Sequence, residues 1–248
     1  EVRLRAALPG AVLAGTRIDG LRLDLVARRK PGERADPLHL RLTGNGTCAS
    51  IAPQGAAAPL GPYAFAWEMD AGSDGSLRIE RLDLEGAHER LSLQGGLSGS
   101  GRLDMTLKGR IKDLAAVLPA GPMRPSGSLE LAAQAQGDLF RGDLQASLAL
   151  QARDMQGIDP SIWDLFSRSP RLDLSYRLRD WSEIELRPAS FSGGGSKLVA
   201  RGDLRLDSRT FSLDWALSGL QLKAISGSDR QGGVRARGAL QGHFHRFT

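Results

Sequence analysis

Apolar and polar residues alternate one for one along most of this chain. Leu21-Arg22-Leu23-Asp24-Leu25, Leu38-His39-Leu40-Arg41-Leu42 and Leu172-Asp173-Leu174-Ser175-Tyr176-Arg177-Leu178 each put their apolar side chains on one side of an extended backbone and their polar ones on the other. The same period recurs at Leu77 to Leu84, Leu91 to Leu97, Leu103 to Leu107, Leu129 to Ala135, Leu144 to Leu150, Ile184 to Leu186, Leu198 to Leu206 and Phe211 to Leu217. Clusters such as Asn45-Gly46, Ser73-Asp74-Gly75 and Gly193-Gly194-Gly195 separate the runs and suit tight hairpins. The pattern predicts an all-β chain, a meander of short antiparallel strands with one apolar face. Two stretches break the alternation and predict helices of one or two turns. Asp113 can cap Leu114-Ala115-Ala116-Val117-Leu118 before Pro119, and Asp159 with Pro160 can open Ser161-Ile162-Trp163-Asp164-Leu165-Phe166.

Laying the stretch from Leu77 over the stretch from Ile184 brings out an internal repeat. Leu77 matches Ile184, Ile79 matches Leu186, Leu84 matches Phe191, Gly86 matches Gly193, Leu91 matches Leu198, Gly95 matches Gly202 and Leu97 matches Leu204, each 107 positions apart (198 − 91 = 107). After a three-residue insertion Leu103 aligns with Leu213, Met105 with Trp215, Leu107 with Leu217 and Gly109 with Gly219. Gly137-Asp138-Leu139 likewise parallels Gly242-His243-Phe244, at an offset of 242 − 137 = 105. Such a period suits a module of several strands stacked on its neighbours. It divides the chain into N-terminal strands of a preceding module at 1–59 and two modules at 60–150 and 151–248.

Lysine and arginine exceed aspartate and glutamate by 33 − 28 = 5, a modest excess. Arg and Asp interleave, as in Arg102-Leu103-Asp104 and Arg171-Leu172-Asp173, so the charges read as a solvated strand face. No clustered basic stripe with interleaved aromatics points to nucleic acid. Cys48 is the only cysteine, which rules out an intrachain disulfide and a multi-thiolate metal site. No apolar run reaches the length of a spanning helix, and Glu1 does not begin a signal peptide. Strand-like text at both ends, Val2-Arg3-Leu4-Arg5 and His243-Phe244-His245, reads as cut from something longer.

Catalytic chemistry finds little to stand on. His243 and His245 share a strand face at i, i+2 but have no third ligand nearby, and His39 and His88 sit among strand or turn residues. The serines of Gly95-Gly-Leu-Ser-Gly-Ser-Gly101 lie in hairpin text, away from any strand-to-helix elbow. Gly193-Gly-Gly-Ser196 precedes a strand, so it lacks the helix N-terminus of a phosphate cradle. Asn45-Gly46-Thr47 spells a glycosylation acceptor but is first of all a turn. The expectation is no catalytic residue, no metal, no cofactor and no enzyme. The alternating aromatics Tyr63, Phe65 and Trp67, and Phe211 and Trp215 around Leu213, belong to sheet packing or to the lining of a groove.

A one-faced meander either closes over its apolar side or curls and leaves a trough. An acyl chain of about sixteen carbons in a trough would gain on the order of 10 kcal/mol. A membrane barrel would show strands of about ten residues with aromatic girdles, which this text lacks. A closed, dry β-solenoid of structural or adhesin-like role is the other alternative. The phrasing Ile79-Glu-Arg-Leu-Asp-Leu-Glu-Gly86, Leu91-Ser-Leu-Gln-Gly-Gly-Leu97, Gly101-Arg-Leu-Asp-Met-Thr-Leu-Lys-Gly109 and Ile111-Lys-Asp-Leu-Ala-Ala-Val-Leu-Pro119 resembles one module of the TamB family. TamB is a subunit of the translocation and assembly module, within the AsmA-like repeating β-groove proteins. Arg201-Gly-Asp-Leu-Arg-Leu206 and Phe211-Ser-Leu-Asp-Trp-Ala-Leu-Ser-Gly219 repeat the rhythm between Pro170 and Leu222, and the likeness covers roughly residues 60 to 248.

The resemblance implies an elongated, curled antiparallel sheet, a β-taco, in a periplasmic protein anchored in the inner membrane. Its groove would carry phospholipid acyl chains to the outer membrane, supporting outer-membrane biogenesis, and a TamA-like barrel partner would dock outside this segment. Groove positions in the first module are Leu77, Ile79, Leu91, Leu93, Leu97, Leu103, Met105 and Leu107. In the second they are Leu172, Leu174, Tyr176, Leu178, Ile184, Leu186, Leu198, Leu204, Leu206, Phe211, Leu213, Trp215 and Leu217.

Overall fold

The computed structural model describes residues 1–13, 16–29, 39–52, 61–117, 125–157, 168–221 and 233–243. They form two compact units, Glu1–Pro122 and Met123–Thr248. The first holds β1 (Val2–Leu13), β2 (Thr16–Arg29), β3 (His39–Cys48), β4 (Ser50–Ala52), β5 (Tyr63–Gly72), β6 (Leu77–Glu85), β7 (Glu89–Leu97), β8 (Arg102–Ile111) and the helix α1 (Leu114–Val117). The second holds β9 (Ser126–Asp138), β10 (Asp143–Gln156), β11 (Arg171–Arg179), β12 (Glu183–Gly193), β13 (Ser196–Arg205), β14 (Thr210–Gln221) and β15 (Gly233–His243).

In each unit every strand pairs antiparallel with its neighbour in sequence, except that β3 pairs β5 and the short β4 pairs β2. The chain is therefore all-β, as the alternation predicts, and open: no ladder among the described residues joins β1 to β8 or β9 to β15. The strong curl expected of a β-taco is a different matter, because the sheet is uncurled. Alternation assigns residues to faces, whereas curvature depends on where bulges and kinks accumulate, which a period of two does not encode.

The repeat is visible in the ladders. Register shifts fall between Ile79 and Leu82 where β6 meets β7, and between Leu186 and Ala189 where β12 meets β13. Both ends of the bulge are 107 apart (186 − 79 and 189 − 82). Pro188 sits inside the second bulge, where no ladder donor is needed. The strands that follow correct the sequence alignment. Leu97 pairs with Leu103 and Leu204 pairs with Phe211, so β8 and β14 correspond at 211 − 103 = 108, two short of the 213 − 103 = 110 given by a three-residue insertion. A shift of two keeps every residue on its face.

Asp113 caps α1, its carboxylate accepting from the Ala115 N–H at 3.0 Å. The second expected helix, Ser161 to Phe166, lies outside the described residues. The strand read as Leu198 to Leu206 stops at Arg205, and Leu206 falls in the following turn, with its N–H donated to the Ser182 carbonyl at 2.7 Å. Buried apolar side chains among the described residues are few: Cys48, Tyr63, Leu114, Ala152 and Met155. Cross-strand pairs of half-buried side chains, not an enclosed core, hold each sheet together.

Candidate functional site: the apolar face

Directly opposed residues in an antiparallel ladder share a face, so the register assigns each side chain to a side. In the first unit Leu77 pairs with Leu97 and Leu97 with Leu103, Ile79 with Gly95 and Gly95 with Met105, and Leu82 with Leu93 and Leu93 with Leu107. All eight groove positions named for this module therefore lie on one face. Leu91 joins them opposite Leu84 and Gly109. Strict alternation from Leu77 would put Arg81 and Asp83 on this side. The bulge after Ile79 returns Leu82 and Leu84 to it instead, so these two escape a period-two reading. Met69, Trp67 and Phe65 extend the face into β5, opposite Ile79, Leu82 and Leu84.

The second unit repeats the arrangement. Leu178, Ile184, Leu204 and Phe211 form one cross-strand row, and Tyr176, Leu186, Gly202 and Leu213 the next. A third runs Leu172, Phe191, Leu198, Leu217, and Trp215 stands opposite Ala200. Leu174 faces the same way, opposite Leu148. Of the positions named for this module, Leu206 alone is off the strands. Most of these side chains are half-buried by their neighbours, while Leu91 and Tyr176 are exposed.

The aromatic residues flatten the surface. A Cβ at Gly44 would meet the Trp67 ring at 2.3 Å and one at Gly46 the Phe65 ring at 2.5 Å, so both rings lie across glycines of β3. They stack on each other with centroids 5.8 Å apart and planes 20° from parallel. Trp215 and Phe211 lie in the same way across Gly238 and Gly242 of β15, at 2.8 and 2.9 Å. Glycine opposite an aromatic lets the ring cover the neighbouring strand.

The opposite face is polar and laced by arginine–carboxylate pairs. Arg177 makes two bonds of 2.9 Å to Asp143, Arg179 reaches Glu185 at 2.7 Å, Arg81 holds Asp83 at 2.5 Å and Arg41 pairs with Glu68. The Arg177 hydrogen bond holds the Asp143 carboxyl below its ordinary range. Two shallow depressions lie on this polar side: one of about 370 Å³ beside Arg5, Arg22 and Asn45, the other of about 540 Å³ beside Arg205, Thr210 and His243. Of the named groove residues only Phe211 touches either.

Candidate chemistry elsewhere is sparse. Burial raises the Tyr63 phenol, and its hydrogen bond with Glu89 raises it further; burial likewise raises the Cys48 thiol beside it. Among the described residues no three His, Cys, Asp or Glu side chains gather as metal ligands, and no helix is long and apolar enough to cross a membrane. His243 is exposed at the end of β15, and His245 lies outside the described residues. Comparison with family models, with curated proteins and with solved structures finds no match.

Proposed function

We propose that this chain is a segment of a lipid conduit that passes phospholipid acyl chains across the space between the two membranes of a bacterial envelope, without catalysing a reaction. The observation that carries the reading is the set of apolar cross-strand rows on one face of each unit, with the ion pairs Arg41–Glu68, Arg81–Asp83, Arg177–Asp143 and Arg179–Glu185 on the other. The resemblance to the TamB family supports it, and brings with it an inner-membrane anchor and a TamA-like barrel partner that would lie outside these residues. An open face covers an acyl chain on one side only. The gain for a sixteen-carbon chain is then roughly half that of a trough, on the order of 5 kcal/mol, which favours a chain that slides over one held tightly.

Photocrosslinking amino acids at Leu103, Leu107 and Leu213 in growing cells test this directly. Phospholipid should be captured there and not at Arg102, Asp104 and Lys108 on the polar side. Equal capture on both faces would sink the proposal.

A further inference from the structure

In an antiparallel meander alternate hairpins point the same way, so the turns joining β9 to β10, β11 to β12 and β13 to β14 share one rim of the second unit. They also touch. A Cβ at Gly142 in the first turn would lie 2.4 Å from Cδ1 of Trp181 in the second, and the Leu206 N–H of the third donates to Ser182 at 2.7 Å. Each of the three tips carries one large apolar side chain held out to solvent: Phe140 is 73% exposed, Trp181 54% and Leu206 42%.

The fold does not require them. The corresponding turns of the first unit, β5 to β6 and β7 to β8, are Ser73-Asp74-Gly75-Ser76 and Ser98-Gly99-Ser100-Gly101, with no apolar residue. They close with the same backbone bond, Gly75 N–H to Gly72 and Gly101 N–H to Ser98, at 3.1 and 2.9 Å. Trp181 is, moreover, an unfavourable choice for its position. Ser182 N–H bonds to the Arg179 carbonyl at 3.0 Å across a turn whose two central residues, Asp180 and Trp181, both have positive φ, 48° and 56°. That geometry favours glycine or asparagine at the second place. Trp181 thus stands where the backbone prefers glycine, with one side of its ring against Gly142 and the rest open to solvent.

We propose that this rim is a membrane-docking site, with Phe140, Trp181 and Leu206 entering the interfacial layer of a phospholipid bilayer. Three separated side chains on protruding tips suit shallow insertion between headgroups, and tryptophan, with an apolar body and a polar N–H, is at home at that depth. The charges match too. The tips Leu139-Phe140-Arg141-Gly142, Asp180-Trp181-Ser182 and Leu206-Asp207-Ser208-Arg209 interleave Arg141 and Arg209 with Asp180 and Asp207, a neutral rim of both signs that complements the phosphate and ammonium of a zwitterionic headgroup. The inference does not depend on the apolar face carrying lipid.

The test is flotation of the full chain with large unilamellar vesicles of phosphatidylcholine. The unaltered chain floats with the vesicles, and raising salt to about half molar leaves this unchanged because the rim is neutral. Replacing Phe140, Trp181 and Leu206 together by serine, as at the tips of the first unit, lowers the partition coefficient about tenfold or more. Trp181→Gly separates docking from folding: it relieves the turn, so thermal stability holds or rises while vesicle binding falls. Leu103→Arg tests whether the apolar face, rather than the rim, holds the vesicle. The proposal is overturned if the triple variant floats like the unaltered chain, if neither floats, if flotation is lost with Leu103→Arg and kept with the triple variant, or if the tips alter only self-association in sedimentation velocity.

Discussion

A methyl group at Gly202 would sit 2.0 Å from the Ser212 carbonyl oxygen, and one at Gly95 would sit 2.1 Å from that of Asp104. Backbone cannot yield as a flexible side chain would, so glycine here permits close approach of neighbouring strands. Gly75 has positive φ but open space around its Cβ position. Gly202→Ala should therefore lose about 2–3 kcal/mol in urea unfolding and Gly75→Ala about 1 kcal/mol. A similar loss at both sites would remove the steric argument. Asp83 makes a second case at this scale. Burial works against its ionisation, but hydrogen bonds from Ser92 and Arg81 and the charges of Arg81 and Arg90 outweigh burial and leave its carboxyl below the ordinary value. A depressed folded pKa contributes stability above the unfolded value near 4, lost as pH falls through the folded one. Unfolding measured from pH 7 down to about pH 2 should show Asp83→Asn less stable at neutral pH and flatter below pH 4 than the unaltered chain; an unchanged acid slope would assign the effect to other carboxylates.

Between elements, the cross-strand row is what gives the apolar face its continuity. Leu103 sits beside Leu97, Leu107 beside Leu93, and Leu213 between Gly202 and Leu240. Leu103→Arg, Leu107→Asp and Leu213→Arg each place a charge in such a row without removing a ladder hydrogen bond. A charge that must be desolvated under a passing acyl chain raises a barrier of several kcal/mol, while on an open face the side chain itself reaches water and the sheet survives. The expected outcome is loss of outer-membrane lipid supply at near-normal protein level for each variant, read by lipid composition and immunoblot. Normal supply in all three would exclude a conduit role for these rows. Which rows exist was only partly legible in the sequence. Leu77, Ile79, Leu91 and Leu93 follow from alternation, but Leu82 and Leu84 depend on the bulge after Ile79, and Leu206 is lost from the face because the chain turns after Arg205.

For the molecule as a whole, a sheet with few buried apolar side chains and a broad half-exposed leucine face gains stability from whatever apolar ligand covers it. A ligand that binds the folded chain alone, at about a hundred times its Kd, adds about 2.7 kcal/mol. Lysophosphatidylcholine below its micellar concentration should accordingly raise the melting temperature by a few degrees, and Leu103→Arg should reduce that rise. No rise for the unaltered chain would mean that the face does not bind acyl chains in solution.

The all-β class, the membership of most side chains in an apolar or a polar face, and the spacing of the repeat were properties of the sequence by itself, because period-two alternation and glycine-rich turns act within a few residues of one another. Tertiary structure decided the rest. The match of Phe211 to Leu103, where the aligned text offered Leu213, was set by pairing with Leu204 and Leu97 across neighbouring strands. Openness without curl, the glycines lying under Phe65, Trp67, Phe211 and Trp215, and the meeting of Trp181 with Gly142 all join residues distant along the chain. Local periodicity says which way a side chain points, but only the ladders say what stands beside it.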